Sequence, residues 1–209
     1  MSCFSGYTFT LASKSPRRKE LLEQLGIAFT VEAGKDEKEA FSPNLPHIEV
    51  PEFLAKHKSE SFHRPLHEKE ILITADTLVF APSPDYAADS IADKINHSEV
   101  LGKPVNRENA IEMITKLSGV THYVLTGVAI RSLGKTHSFT AVSEVTFRRM
   151  IRSEIEYYVD RYQPYDKAGA YGVQEWIGFA AITSIKGSYC NVVGLPVDML
   201  AAELPSVCK

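Results

Sequence analysis

Apolar and polar positions follow two different periods along this chain, and each switch of period marks an element. Phe9 to Ala12 is a short apolar run that predicts a strand. It breaks at once into Pro16 to Leu25, where Leu21, Leu22 and Leu25 form one helical stripe. Ser15 predicts the N-cap of that helix, Pro16 its first position and Gly26 its stop. Ile27 to Val31 reads as a second strand, Lys35 to Pro46 as a polar loop, and Val50 to Phe62 as a helix with Val50, Phe53, Leu54 and His57 on one face. Ile71 to Phe80 is apolar throughout except around Asp76 and Thr77, the pattern of a central strand buried on both faces. Ala81 to Asn96 holds prolines, aspartates and small residues, and reads as a surface excursion. Asn106 predicts the cap of a helix running to Leu117, with Ile111, Ile114 and Leu117 inward and Gly119 beyond its end.

Thr121 to Ser132 and Thr136 to Arg149 alternate with period two around Leu133-Gly134-Lys135, a hairpin pattern. Ser153 to Tyr162 predicts a helix, with Ser153 as cap and Glu156 completing a capping box. Ala180 to Lys186 is a further strand and Pro196 to Leu204 a closing helix. Strands and helices alternate, with a long antiparallel hairpin in the middle. The expected class is therefore α/β, a central mixed and twisted sheet flanked by helices, in two lobes whose boundary runs within continuous sheet.

Composition narrows this little. The 209 residues, 44% hydrophobic and 23% charged, suit one domain with an ordinary core. A net charge of −3 gives no global attraction to nucleic acid or to an anionic membrane. Cys3, Cys190 and Cys208 are too scattered for a disulfide framework or a zinc site. Met1 to Gly6 has neither a basic nor an apolar leader segment, and no apolar run reaches membrane-spanning length. A reducing, cytoplasmic setting is expected.

Local chemistry is more informative. Arg17, Arg18 and Lys19 place three cations on the positive end of a helix dipole, where acidic side chains are favoured. A bound phosphate would reverse that conflict, because it meets both the N–H groups and the cations; a solvated basic patch is the alternative. Asp76 interrupts a doubly buried strand, and a carboxylate there needs a partner, a metal or a catalytic role. Lys58 on its helix and Lys103, held between Gly102 and Pro104, each admit a plain surface reading. In Asp166 to Gln174, Gly169 and Gly172 allow close approach or positive φ, Tyr171 offers a flat face, and Gln174 has a two-way amide suited to a nucleobase edge. A tight glycine turn beside a sheet would have the same composition. His63 and His67 have ligand spacing, but Pro65 breaks the helix that such spacing assumes.

Taken in order, Ser13-Lys14-Ser15-Pro16-Arg17-Arg18, Leu54-Ala55 with Lys58, Ala75-Asp76-Thr77 with Val79, Leu101-Gly102-Lys103-Pro104 and Asp166 to Gln174 resemble the blocks of the Maf family of nucleoside triphosphate pyrophosphatases. The resemblance runs from about Phe9 to Leu204 and skips Ala81 to Val100. It implies a single Maf-like domain over 1–209 with a surface insertion at about 81–100, and a fold akin to inosine triphosphate pyrophosphatase with a nucleotide cleft. It implies Asp76 as the catalytic acid, Ser13, Arg17, Arg18, Lys58, Thr77, Lys103 and Gln174 as substrate-binding residues, and Asp76 with Glu37 at a divalent metal, Mg²⁺ or Mn²⁺. The implied substrate is dTTP or UTP, or a modified pyrimidine nucleotide, cleaved to the monophosphate and pyrophosphate in a house-cleaning role. A homodimer is compatible with it. Ser59 and Glu175 depart from the family's usual alanine and glycine; a carboxylate at 175 could instead favour an amine-bearing base. A regulator of division that binds nucleotide without hydrolysis, and a phosphomonoesterase, are the rival functions.

Overall fold

The computed structural model describes Phe4, residues 6–34, 40–83, Tyr86 and residues 89–208. Among these residues there are seven strands: β1 (Thr8–Leu11), β2 (Phe29–Val31), β3 (Glu70–Ala81), β4 (Glu99–Leu101), β5 (Thr121–Arg131), β6 (Thr136–Phe147) and β7 (Ile182–Lys186). The described residues also form eight α-helices: α1 (Pro16–Glu23), α2 (Val50–Glu60), α3 (Ile91–Asn96), α4 (Arg107–Leu117), α5 (Arg152–Tyr162), α6 (Trp176–Ala180), α7 (Tyr189–Val193) and α8 (Val197–Glu203). The sheet is mixed, in the order β2-β1-β3-β5-β6-β7, with β4 also on β3. β1 runs parallel to β2 and β3, while β3 and β4, and β6 and β7, pair antiparallel. The expected α/β class with a mixed sheet is what the chain forms. Among the described residues no helix is long and apolar enough to cross a membrane.

The chain divides into two compact units. The first comprises 1–76, 126–141 and 194–209, the second 77–125 and 142–193. β3 passes from the first to the second immediately after Asp76.

In the first unit, β1 lies between β2 and the start of β3, with Leu11 opposite Ile73. Glu70, buried at the mouth of β3, is held by a fork from Arg64 (2.7 and 2.9 Å) and a hydroxyl from Thr10 (2.7 Å). Arg64 also grips Glu32 at 2.6 Å. The Arg64 guanidinium holds the Glu70 carboxyl down at about 2. α2 rests directly on β5 at Gly127, where a Cβ would lie 2.1 Å from the Pro51 backbone. No other residue leaves room for that approach. The Thr74 hydroxyl donates to the Ala55 carbonyl at 2.7 Å, and the Ser138 hydroxyl to Glu52 at 2.7 Å, so α2 is fastened on both sides.

In the second unit, α4 packs on α5 over a core that includes Ile111, Ile114, Leu117, Ile155 and Val159. Each such buried side chain contributes roughly 1.5–3 kcal/mol of gross burial energy. The expected caps hold for α1 and α4: Ser15 accepts from Arg18 N–H, and Asn106 from Asn109 N–H at 2.8 Å. α5 differs from expectation. Its cap is Ile151, whose N–H donates to the Glu154 carboxylate at 3.0 Å, so Ser153 and Glu156 do not form the box. Arg148 binds Glu154 as well, and this outbids a serine two residues further on. The excursion expected over Ala81 to Asn96 carries α3, which is exposed or half-buried except at the fully buried Ile95.

Candidate active site

The break from β1 into α1 is built by hydroxyls. Ala12 N–H donates to the Ile73 carbonyl at 2.9 Å, which pins the chain to β3. Ser13, 8% exposed, accepts from Ser15 N–H at 3.1 Å, and Ser15 in turn caps the helix. No acidic residue occupies the first turn of α1. Arg18 lies back against the middle of β3. Its Nε donates to the Gly194 carbonyl and its Nη1 to the Ala75 carbonyl, both at 2.8 Å. Arg18 is therefore a brace that fixes the residue before Asp76, a role the basic run alone did not signal. Arg17, beside it, is half-buried.

Asp76 is 3% exposed and closes the first unit's stretch of β3. The Lys58 ammonium binds its Oδ1. Lys56, two residues earlier, points elsewhere and pairs with Glu52 at 2.7 Å. The fastening of α2 at Gly127 and Thr74 aims Lys58, rather than Lys56, at the strand. A buried carboxylate is costly unless matched, and this pairing answers the question that the apolar strand posed. Arg18 and Lys58 thus meet β3 at the Ala75–Asp76 step, and Ser13 lies in the β1–α1 break that Ala12 pins to Ile73.

The remaining predicted residues belong to the second unit. Thr77 follows Asp76 on β3 and is half-buried. Lys103 is exposed, on a loop whose Gly102 carbonyl accepts Gly169 N–H at 3.0 Å. Gly169 has φ +66, and a Cβ there would meet Val79 at 2.9 Å. The lysine loop and the glycine turn before Gln174 are thereby joined. Gln174 is exposed on the Gly172–Glu175 turn, which is closed by Glu175 N–H to the Gly172 carbonyl at 3.0 Å.

Tyr171 departs from expectation. It is 6% exposed, its ring packs edge-on against Phe147 and His122, and its hydroxyl lies 2.9 Å from His122 Nε2. Its face is used in the core and is not presented to a base. Burial drives the His122 imidazole down to about 3, so it is neutral beneath the turn. Tyr158 was missed as a site residue. The signal was a tyrosine on the apolar stripe of α5 beside Ile155 and Val159, since a buried phenol needs a hydrogen-bond partner.

Glu37, the second expected metal residue, lies outside the described residues. Among the described residues, no three His, Cys, Asp or Glu side chains are grouped to hold a metal. The single carboxylate of Asp76 does fit a hard cation of the Mg²⁺ kind, which takes one or two carboxylates and fills its shell with substrate phosphates and water.

Comparison with known proteins places these residues in a family. The Maf-like protein family model matches residues 8–207, and the chain belongs to that family. A dTTP/UTP pyrophosphatase of Bacteroides thetaiotaomicron is 44% identical over 198 residues, 95% of each chain. One from Porphyromonas gingivalis is 44% identical over 200 residues, 95% of this chain and 93% of that one. One from Flavobacterium johnsoniae is 40% identical over 190 residues, 91% of this chain and 90% of that one. A solved nucleoside-triphosphatase / dITP/XTP pyrophosphatase from Mycobacterium abscessus is 9% identical, covers 68% of this chain and 75% of its own, and has a TM-score of 0.35. That likeness is too remote to bear on fold or function.

Proposed function

We propose that this protein hydrolyses dTTP and UTP between the α and β phosphates, releasing the monophosphate and pyrophosphate. The observation that carries the proposal is the buried Asp76 with Lys58 on its carboxylate and Arg18 bracing the preceding carbonyl. The names of relatives more than 40% identical along nearly the whole chain supply the substrate class.

In this reading water adds to a phosphorus atom, the anhydride P–O bond breaks, and pyrophosphate departs with the bonding electrons. Asp76 serves either as acceptor of the water's proton or as oxygen donor to the cation. Mg²⁺ or Mn²⁺, when bound, would neutralise phosphate charge. Lys58 compensates the charge of the Asp76 carboxylate and orients it in its buried position, and adds positive charge where phosphate oxygens gather charge. Ser13, Arg17, Arg18 and Lys103 contribute the remaining phosphate contacts, and Thr77 contributes a hydroxyl beside Asp76. Gln174 reads the base: uracil and thymine present carbonyl, N–H and carbonyl in sequence, and one amide can donate to a carbonyl and accept from the N–H together. Removal of such nucleotides from the cytoplasmic pool is the corresponding role.

Product analysis over dTTP, UTP, CTP, ATP and GTP tests this. Pyrophosphate and monophosphate in equal amounts from dTTP and UTP are expected. Orthophosphate alone would replace the reading with a phosphomonoesterase, and tight binding without release of either would replace it with a regulator.

A further inference from the structure

The turn that carries Gln174 is anchored at both ends to one helix. Gly172 N–H donates to the Tyr158 hydroxyl at 3.0 Å, and that same hydroxyl donates to Glu175 Oε2. Gly172 and Glu175 are the first and last residues of the turn, so a single phenol ties the two together. Tyr158 is fully buried on α5 and stacks on Tyr162 with ring centres 5.2 Å apart. The other Glu175 oxygen lies 3.0 Å from Lys167 Nζ. These side chains leave no slack: a Cβ on Gly172 would stand 3.0 Å from both the Glu175 carboxylate and Lys167 Cε.

Two consequences follow. The Glu175 carboxylate is held on both oxygens, by a hydroxyl and an ammonium, so its orientation is fixed and its charge compensated, which weakens its pull on the exocyclic amine of cytosine or guanine. The turn also has a fixed conformation, because its ends cannot separate without exposing a buried phenol and breaking a charge-assisted bond. We propose that Glu175 and Tyr158 are positioning residues for base selectivity, holding the Gln174 amide in one orientation while keeping the neighbouring carboxylate out of the base pocket. The proposal rests on the reading of Gln174 as the group that meets the base.

The test combines two measurements on Tyr158→Phe, Glu175→Gln and Gln174→Ala. Amide hydrogen exchange at Gly172 reports the clamp, and kcat and KM for UTP and CTP report its consequence. Tyr158→Phe removes both contacts at nearly constant volume. It should speed Gly172 exchange by about 5- to 10-fold, raise KM for UTP by a similar factor with kcat little changed, and lower the UTP-to-CTP ratio of kcat/KM. Glu175→Gln should move the same quantities in the same direction by less, and serves if Tyr158→Phe does not fold. Gln174→Ala should lower the ratio with Gly172 exchange unchanged. Unchanged exchange in both clamp variants overturns the proposal. So does faster exchange with an unchanged ratio, provided Gln174→Ala lowers it; that pattern leaves the base reading standing. A ratio indifferent to Gln174→Ala removes the base reading, and this proposal with it.

Discussion

The Lys58–Asp76 pair is unequally buried, and this makes its energetics testable. The Asp76 side chain is 5% exposed and that of Lys58 32%. Removing one partner of a fully buried pair costs about 3–5 kcal/mol, because a charge remains uncompensated. Lys58 reaches water over about a third of its surface, so screening lowers the expected cost of Lys58→Met to roughly 2 kcal/mol. For a chain of this length that is a fall of about 4–8 °C in Tm. Asp76→Asn strands only the ammonium, which can turn toward solvent, and should cost less than about 1 kcal/mol. The double variant removes both charges and should recover at least half of the loss, a coupling of about 1–2 kcal/mol. Activity should follow the opposite order. Asp76→Asn should lower kcat by ~10²-fold or more, and the double variant should stay equally inactive although its stability returns. Thermal unfolding at pH 7 with pyrophosphate release on the same four proteins reads both. Strict additivity in Tm, with Lys58→Met as stable as the parent, would refute the claim that the ammonium compensates the buried carboxylate.

Arg18→Ala removes two charged donations to main-chain carbonyls and should destabilise the ligand-free protein by about 2–4 kcal/mol in addition to weakening nucleotide affinity; an unchanged Tm would mean the brace is idle. Gln174→Ala should reduce the preference for UTP over CTP by roughly 5- to 150-fold, since it removes two hydrogen bonds to the base at about 0.5–1.5 kcal/mol each; a substrate panel led by CTP or GTP in the parent would sink the assignment. Acid should unfold the protein in two windows. His122 is held at about 3 against an ordinary 6.5, so the folded form resists a proton that the unfolded chain takes up, and stability present above pH 6.5 is lost as pH falls toward 3. Glu70 is held at about 2 against 4.5, so its contribution is present above pH 4.5 and lost as pH falls toward 2. His122→Gln should flatten the Tm curve between pH 6.5 and 4.5 and leave the lower window intact; an unchanged curve would contradict the buried neutral imidazole.

Elements governed by local rules were legible in the chain itself. Ser15 and Asn106 cap where their positions predict, and β3 is buried on both faces as its apolar run requires. Where a distant partner decides, sequence reasoning failed. The basic run at α1 looked like a dipole conflict waiting for an anion, yet Arg18 takes carbonyls at Ala75 and Gly194, one of them 176 positions along the chain. Removing Arg18 should accordingly destabilise the protein, where the dipole argument alone expects slight relief. Tyr171 looked like a stacking platform because aromatic rings serve cores and ligands equally well, and only the packing of His122 and Phe147 decides between them. Ser153 lost the cap of α5 to Ile151 because Arg148 fixes Glu154 in the receiving position.

The same logic bears on Glu175. Judged from sequence, a carboxylate next to the base-reading glutamine threatens the pyrimidine assignment, because it can accept from an amine. Judged with its partners, it is a tether occupied by Tyr158 and Lys167. A substitution beside a site therefore carries no fixed sign for specificity. The sign depends on whether the fold supplies partners that orient the new group and compensate its charge, and here both oxygens of Glu175 are held from within the same compact unit.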